Sequence, residues 1–252
     1  MTLGPDGPSA TPVESGATPR ARRARDATLS RWAGAILLVG AAQFIVEMAV
    51  EQALWPTSWP SAREYSGCTS PFDPFTNAIS DLGGHCALGL GIAFDASVFI
   101  VGIAALGGAI LLWRVLPRRR SLRIGTVLLM LAGAGAMGVG IWPEFHPTPH
   151  AISAFFAFFF GGLGLIALGR GLAKTGDGRT FSLLTSLGGV VDLVSIFLFL
   201  GSDAIAPGLS GLFERMIVAP VLLWAMGYGL RLLRGTAPVF GPGTARPTPQ
   251  SA

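Results

Sequence analysis

The chain has 252 residues, of which 51% are hydrophobic and 13% charged, about half the charged share of a soluble domain. That balance excludes a single water-soluble globule, because the apolar residues fall in long unbroken runs that no one core of this size would take in. The net charge of +4 does not imply a nucleic-acid partner, since the arginines cluster at the ends of apolar runs, where membrane topology places them.

Residues 1–30 are rich in Pro, Gly, Ala, Thr and Arg and lack apolar periodicity, so they are expected as a disordered tail. The tail closes in "RARRARD" and leads into an apolar run over about 32–54. A secretory leader would have a short basic start and a brief apolar stretch, so an uncleaved membrane helix is the better reading. Five further runs follow at about 88–113, 124–142, 150–169, 181–201 and 212–230, each close to the ~20 residues that cross a bilayer as a helix. Nothing alternates with period two over ten residues, which argues against a membrane barrel. The fold class is therefore all-α: a polytopic membrane protein with a six-helix bundle over 31–235, a long loop at 55–87 and a second tail at 236–252.

Charge sets the expected orientation. Sixteen of the 18 basic residues fall in the two tails and in the connections after the second and fourth helices, leaving Arg63 and Arg215 at the opposite end. The positive-inside rule then puts both termini in the cytoplasm of a plasma-membrane protein, with membrane lipids as its constant partners.

With that orientation, polar residues gather on the outer half. Gln43, Glu47 and Glu51 form an i, i+4, i+8 stripe on the first helix, Asp95 lies about two turns into the second, and Asp192 lies near the middle of the fifth. An Asp at the centre of a membrane helix costs about 2.5–3.5 kcal/mol on insertion scales. Such residues face a bundle interior or a wet cavity rather than lipid. The expectation is an outward-facing polar pocket, and Asp95 and Asp192 lie too deep to reach the interface by extending their side chains. Glu144 and Arg215 are also placed for an ion pair between helix ends.

The only cysteines, Cys68 and Cys86, share the first outer loop. An even count on an oxidising face reads as a disulfide, with two free thiols as the alternative. In "HPTPH", His146 and His150 have i, i+4 spacing, and so do Asp81 and His85. These four are the candidate zinc ligands. Pro147 and Pro149 are expected to hold off the helix until near His150, and Gly83 and Gly84 interrupt the other pair.

"NAISDLG" in the first outer loop, "GVGIWPE" with His150 close behind it, and "GLFER" opening the last helix resemble the domain of unknown function 998 family of multi-pass bacterial membrane proteins. A fainter similarity runs to the DRAM-like membrane families. The resemblance implies a shared fold and marks Asn77, Ser80, Asp81, Gly83, Pro143, Glu144, His150, Glu214 and Arg215 as motif positions, without implying a reaction. The pocket candidates are thus Asn77, Ser80, Asp81, Asp95, Glu144, His150, Glu214 and Arg215. Three functions fit them. The first is a non-enzymatic site for a lipid headgroup or small ligand, with Arg215 and the helix start near His150 meeting an anion. The second is a metal-dependent intramembrane hydrolase using Asp81, His85, His146 and His150, with Glu144 as general base. The third is a proton-coupled transporter relaying through Glu47, Glu51, Asp95 and Asp192.

Overall fold

A computed structural model describes residues 18–55, 71–83, 89–176 and 178–237. Its elements are α1 (Pro19–Leu54), a single 3₁₀ turn at Ser80–Gly83, α2 (Gly89–Val115), α3 (Arg120–Ile141), α4 (Pro147–Ala173), α5 (Arg179–Leu200), the one-turn α6 (Ser202–Ile205) and α7 (Ser210–Leu233). All described elements are helical, and six of them are long and apolar enough to cross a membrane.

Two helix starts differ from the sequence expectation. α1 begins at Pro19, inside the stretch read as a disordered tail. Thr18 caps it by accepting the Ala21 N–H at 3.3 Å, Pro19 takes the first helical position, and the Ala and Arg that follow are strong helix formers. α4 begins at Pro147 rather than near His150. Both prolines lie in its first turn, where the missing N–H groups have no helical partner to lose. His146 becomes the N-cap, and its carbonyl accepts the His150 N–H at 3.0 Å.

The six spans close into a ring in chain order, with α1 meeting α2 on one side and α7 on the other. Glycines allow the close crossings. A Cβ on Gly102 of α2 would come within 2.8 Å of the Gly133 carbonyl oxygen on α3, and one on Gly34 of α1 would come within 2.6 Å of the Gly229 carbonyl oxygen on α7. Backbone contact of this kind is how helices adhere where lipid supplies no hydrophobic drive.

α5 is inverted relative to a helix of a soluble protein. Its buried residues are Ser182, Thr185, Gly189, Asp192 and Ser195, while Leu183, Leu184, Leu187, Val190, Val194 and Phe197 are exposed. Apolar outside and polar inside is stable only when the surroundings are themselves apolar. One end of the bundle carries the arginine-rich connections and is basic. The other carries residues 71–83, the α3–α4 connection and the α5–α7 connection, and is acidic.

Candidate functional site at the acidic end

The site is assembled by residues 71–83 docking onto the first turns of α7. Asp73 starts the segment with a turn: its side chain accepts the Phe75 N–H at 2.9 Å and its carbonyl accepts the Asn77 N–H at 2.7 Å. Asn77 is buried, its Oδ1 accepting from the Asp73 N–H at 2.9 Å and its Nδ2 donating to Asp81 at 3.0 Å. The same Asp81 oxygen accepts the Ala78 N–H at 3.0 Å. Asp81 thus holds the segment's own fold, while Glu214 and Arg215 hold the segment to the bundle.

Glu214 is 4% exposed, and its carboxylate accepts the backbone N–H of Ile79. Arg215 Nη1 donates to the Asn77 carbonyl at 2.8 Å and to the Gly211 carbonyl at 2.9 Å. Its guanidinium also lies over the Phe72 ring, 5.6 Å from the centroid. Leu212 N–H donates to the Phe75 carbonyl at 3.0 Å and the Ser210 hydroxyl to the Thr76 carbonyl at 2.8 Å. These groups belong to the first turn of α7, which has no carbonyls of its own to meet its leading N–H groups. Gly211 is required for the approach, because a Cβ there would overlap the Asn77 carbonyl. Trp55, at the end of α1, is buried against Phe72 with ring centroids 5.1 Å apart.

Around this dock lie more carboxylates. Gly83 packs against the Asp95 side chain, and Gly140 crosses α2 at the Asp95 backbone, which brings Glu144 one turn further on into the same region. The charge of Glu144 bears on Asp81, Asp95 and Glu214. On the α1 side Glu51 is 1% exposed, with Glu47 and Asp95 as its charged neighbours. Its carboxyl lies against the Glu47 side chain and the Phe94 backbone. Two turns deeper than Glu51, Gln43 and Ser97 join α1 to α2: Gln43 Nε2 donates to the Ser97 carbonyl and the Ser97 hydroxyl donates to Gln43 Oε1, both at 3.0 Å.

Asp81 lies outside the spans, and its pKa is raised from 3.8 to about 6. Burial is the main cause and Glu144 adds to it, while Asn77, Ala78 and Arg215 pull the other way.

Of the residues singled out in the sequence, Asn77, Ser80, Asp81, Glu214 and Arg215 come together directly, and Asp95 and Glu144 complete the acidic rim. His150 is held apart, its Nδ1 2.9 Å from the Trp142 carbonyl. His146 is exposed, its ring against Trp142 and Phe145. Arg215 turns to backbone carbonyls and to the charges of Glu214, Asp81 and Asp73, not to Glu144. Cys68, His85 and Cys86 lie outside the described residues. Among the described residues no group of three His, Cys, Asp or Glu side chains is gathered tightly enough for a metal. Sequence reasoning passed over Phe72, Asp73 and Gly211, and it counted Glu51 toward the outer polar half and a relay without naming it a pocket residue. The turn signature "DPFTN" and the glycine at the start of α7 were the available signals for the first three.

A family model described as "Protein of unknown function (DUF998)" matches residues 65–231. No curated protein and no solved structure matches the chain.

Proposed function

The chain belongs to the DUF998 family, a family of unknown function, and from that premise we propose that it is a multi-pass membrane protein whose acidic end binds a positively charged group. The ligand class is an ammonium, carried by a lipid headgroup or by a small amine. The observation that carries this reading is the charge balance of the rim. Glu47, Glu51, Asp81, Asp95, Glu144 and Glu214 gather there, and Arg215 is the one arginine or lysine beside them among the described residues, its Nη1 engaged with two backbone carbonyls. Arg215 Nη2 has no hydrogen-bond partner among the described residues, yet one guanidinium stands against six carboxyl groups, and a cation would relieve that surplus of negative charge. Through Nη1, Arg215 acts as a positioning residue for the wall formed by residues 71–83.

The acidic end faces outward and both termini lie in the cytoplasm, a reading supported by the concentration of basic residues at the other end. Cys68 and Cys86 bracket the docked segment, and a disulfide between them on the outer face would tether both of its ends. Alkylation without reductant checks the pair, and two labelled thiols would remove the tether.

The binding test uses the full chain in nanodiscs. Phosphatidylethanolamine retained through purification is counted by native mass spectrometry against phosphatidylglycerol. Glu51→Gln combined with Asp95→Asn is expected to lower the retained amine lipid about tenfold. If retention is unchanged and soluble ethanolamine gives no thermal shift in either protein, the reading fails. A shift with ethanolamine alone assigns the site to a free amine rather than to lipid.

A further inference from the structure

We propose that Asp192 is a proton-binding site in the middle of the membrane, loaded from the acidic end past Glu214 and Ser195. Asp192 itself lies apart from the amine-binding rim, and only its route shares Glu214 with that rim.

Asp192 is 0% exposed, and neither of its oxygens has a hydrogen-bond partner among the described residues. Ser195, one turn away on the same buried face of α5, is likewise 0% exposed with an unpartnered hydroxyl. The carboxyl fits into the surface of α4 where two glycines leave room: a Cβ on Gly162 would lie 3.0 Å from Oδ1, and one on Gly161 would lie 3.6 Å from Oδ2. No counter-charge is engaged with it: Arg215 of α7 lies close to the level of Asp192, but its guanidinium turns to the Asn77 and Gly211 carbonyls and to the charges of Glu214, Asp81 and Asp73. α4 has no titratable residue between His150 and Arg170, and α7 has only Tyr228 between Arg215 and Arg231. α5 itself carries Arg179 at its first position and no other cation. An isolated carboxylate in such surroundings is neutralised by holding its proton, because the charged form has neither water nor partner. A metal ion is a poor substitute, since two side-chain oxygens fall well short of the six or more a hard cation takes.

The route follows from helix register. Phe181 stacks on Tyr228 with centroids 5.9 Å apart, and a Cβ on Gly188 would lie 3.3 Å from Pro220. These pairs align the two antiparallel helices. Seven residues toward the acidic end from Gly188 is Ser195, and seven from Pro220 is Phe213, so Ser195 stands level with Phe213 and Glu214, all three buried. In the other direction Gly189 closes against the Gly162 carbonyl and Ile166, and the polar face of α5 is interrupted there. Access is therefore one-sided. Asp192 takes a proton from the acidic end to become a neutral acid and returns it the same way. Nothing is oxidised or reduced, and no proton crosses.

Infrared spectroscopy of the full chain in nanodiscs tests this. The wild type at neutral pH is expected to show a protonated-carboxyl C=O band that shifts in D₂O and is lost in Asp192→Asn. Ser195→Ala is expected to keep the band and slow its D₂O shift at least tenfold. A band unchanged in Asp192→Asn overturns the assignment, and a wild-type exchange rate in Ser195→Ala overturns the route. A band that appears only after sodium and calcium are removed would make the occupant a metal and overturn the proton. If Asp192→Asn does not fold, the wild-type ion dependence and the Ser195→Ala rate still decide.

Discussion

Asp81 couples the site to pH. Its carboxyl binds a proton more tightly in the folded protein, with a pKa of about 6, than in the unfolded chain, where 3.8 is ordinary. A raised folded-state pKa contributes stability that is fully present below the unfolded value and lost as pH rises through the folded one. Thermal unfolding in detergent is therefore expected to show the wild type losing about 2 kcal/mol between pH 4 and pH 7. Asp81→Asn, which keeps an acceptor for Ala78 and no longer titrates, is expected to flatten that slope. An equal slope in the variant would show that other groups set it. Glu214 gives a different signature, because it anchors the segment to the bundle through Ile79. Glu214→Ala removes the acceptor from a buried N–H and is expected to cost about 2 kcal/mol. Glu214→Gln keeps an acceptor and is expected to recover more than half of that by the same unfolding measurement.

Among the elements, the docked segment and the glycine crossings set how the bundle holds together. Gly211→Ala puts a methyl into the Asn77 carbonyl, and overpacking of this kind costs about 1–3 kcal/mol. Hydrogen exchange is expected to accelerate across residues 74–83 while the amides of α3 and α4 stay protected. Uniform acceleration would mean that the segment does not open as a unit. By contrast, Gly102→Val drives a branched side chain into the Gly133 backbone on α3. It is expected to lower the unfolding temperature of the whole bundle without selective opening of 74–83. The six spans were legible in the sequence because apolar runs of span length have few other uses. The helix starts were not, because the Pro- and Gly-rich composition before residue 30 and the Pro147–Pro149 pair argue against a helix until the prolines' first-turn positions are known. "NAISDLG" and "GLFER" mark two segments that the fold brings into contact, yet the bond from Ile79 to Glu214 joins positions 135 apart, and no local pattern encodes such a pairing. His150 shows the reverse case, a motif residue whose ring is tied to its own helix entry.

At the level of the whole molecule, α1 is 36 residues long, about 54 Å at 1.5 Å per residue. A bilayer core is only about 30 Å thick, so the arginine-bearing first turns extend past the basic end of the ring. The ring itself is closed by its first and last spans, with Gly34 on Gly229. That closure has a consequence for how the protein is made. Residues 71–83 leave the ribosome well before the turn that receives them, since Ile79 and Glu214 are 135 positions apart. At about 5–20 residues per second, the 135 positions between Ile79 and Glu214 take roughly 7–27 s to synthesise. Throughout that interval the nascent chain holds Glu51 and Asp95 in a bundle with one side open, and any factor that guards unfinished membrane proteins has that gap to recognise. Translation arrested before Ser210 would leave five spans inserted and the acidic end unassembled, so assembly of the site waits for the sixth span.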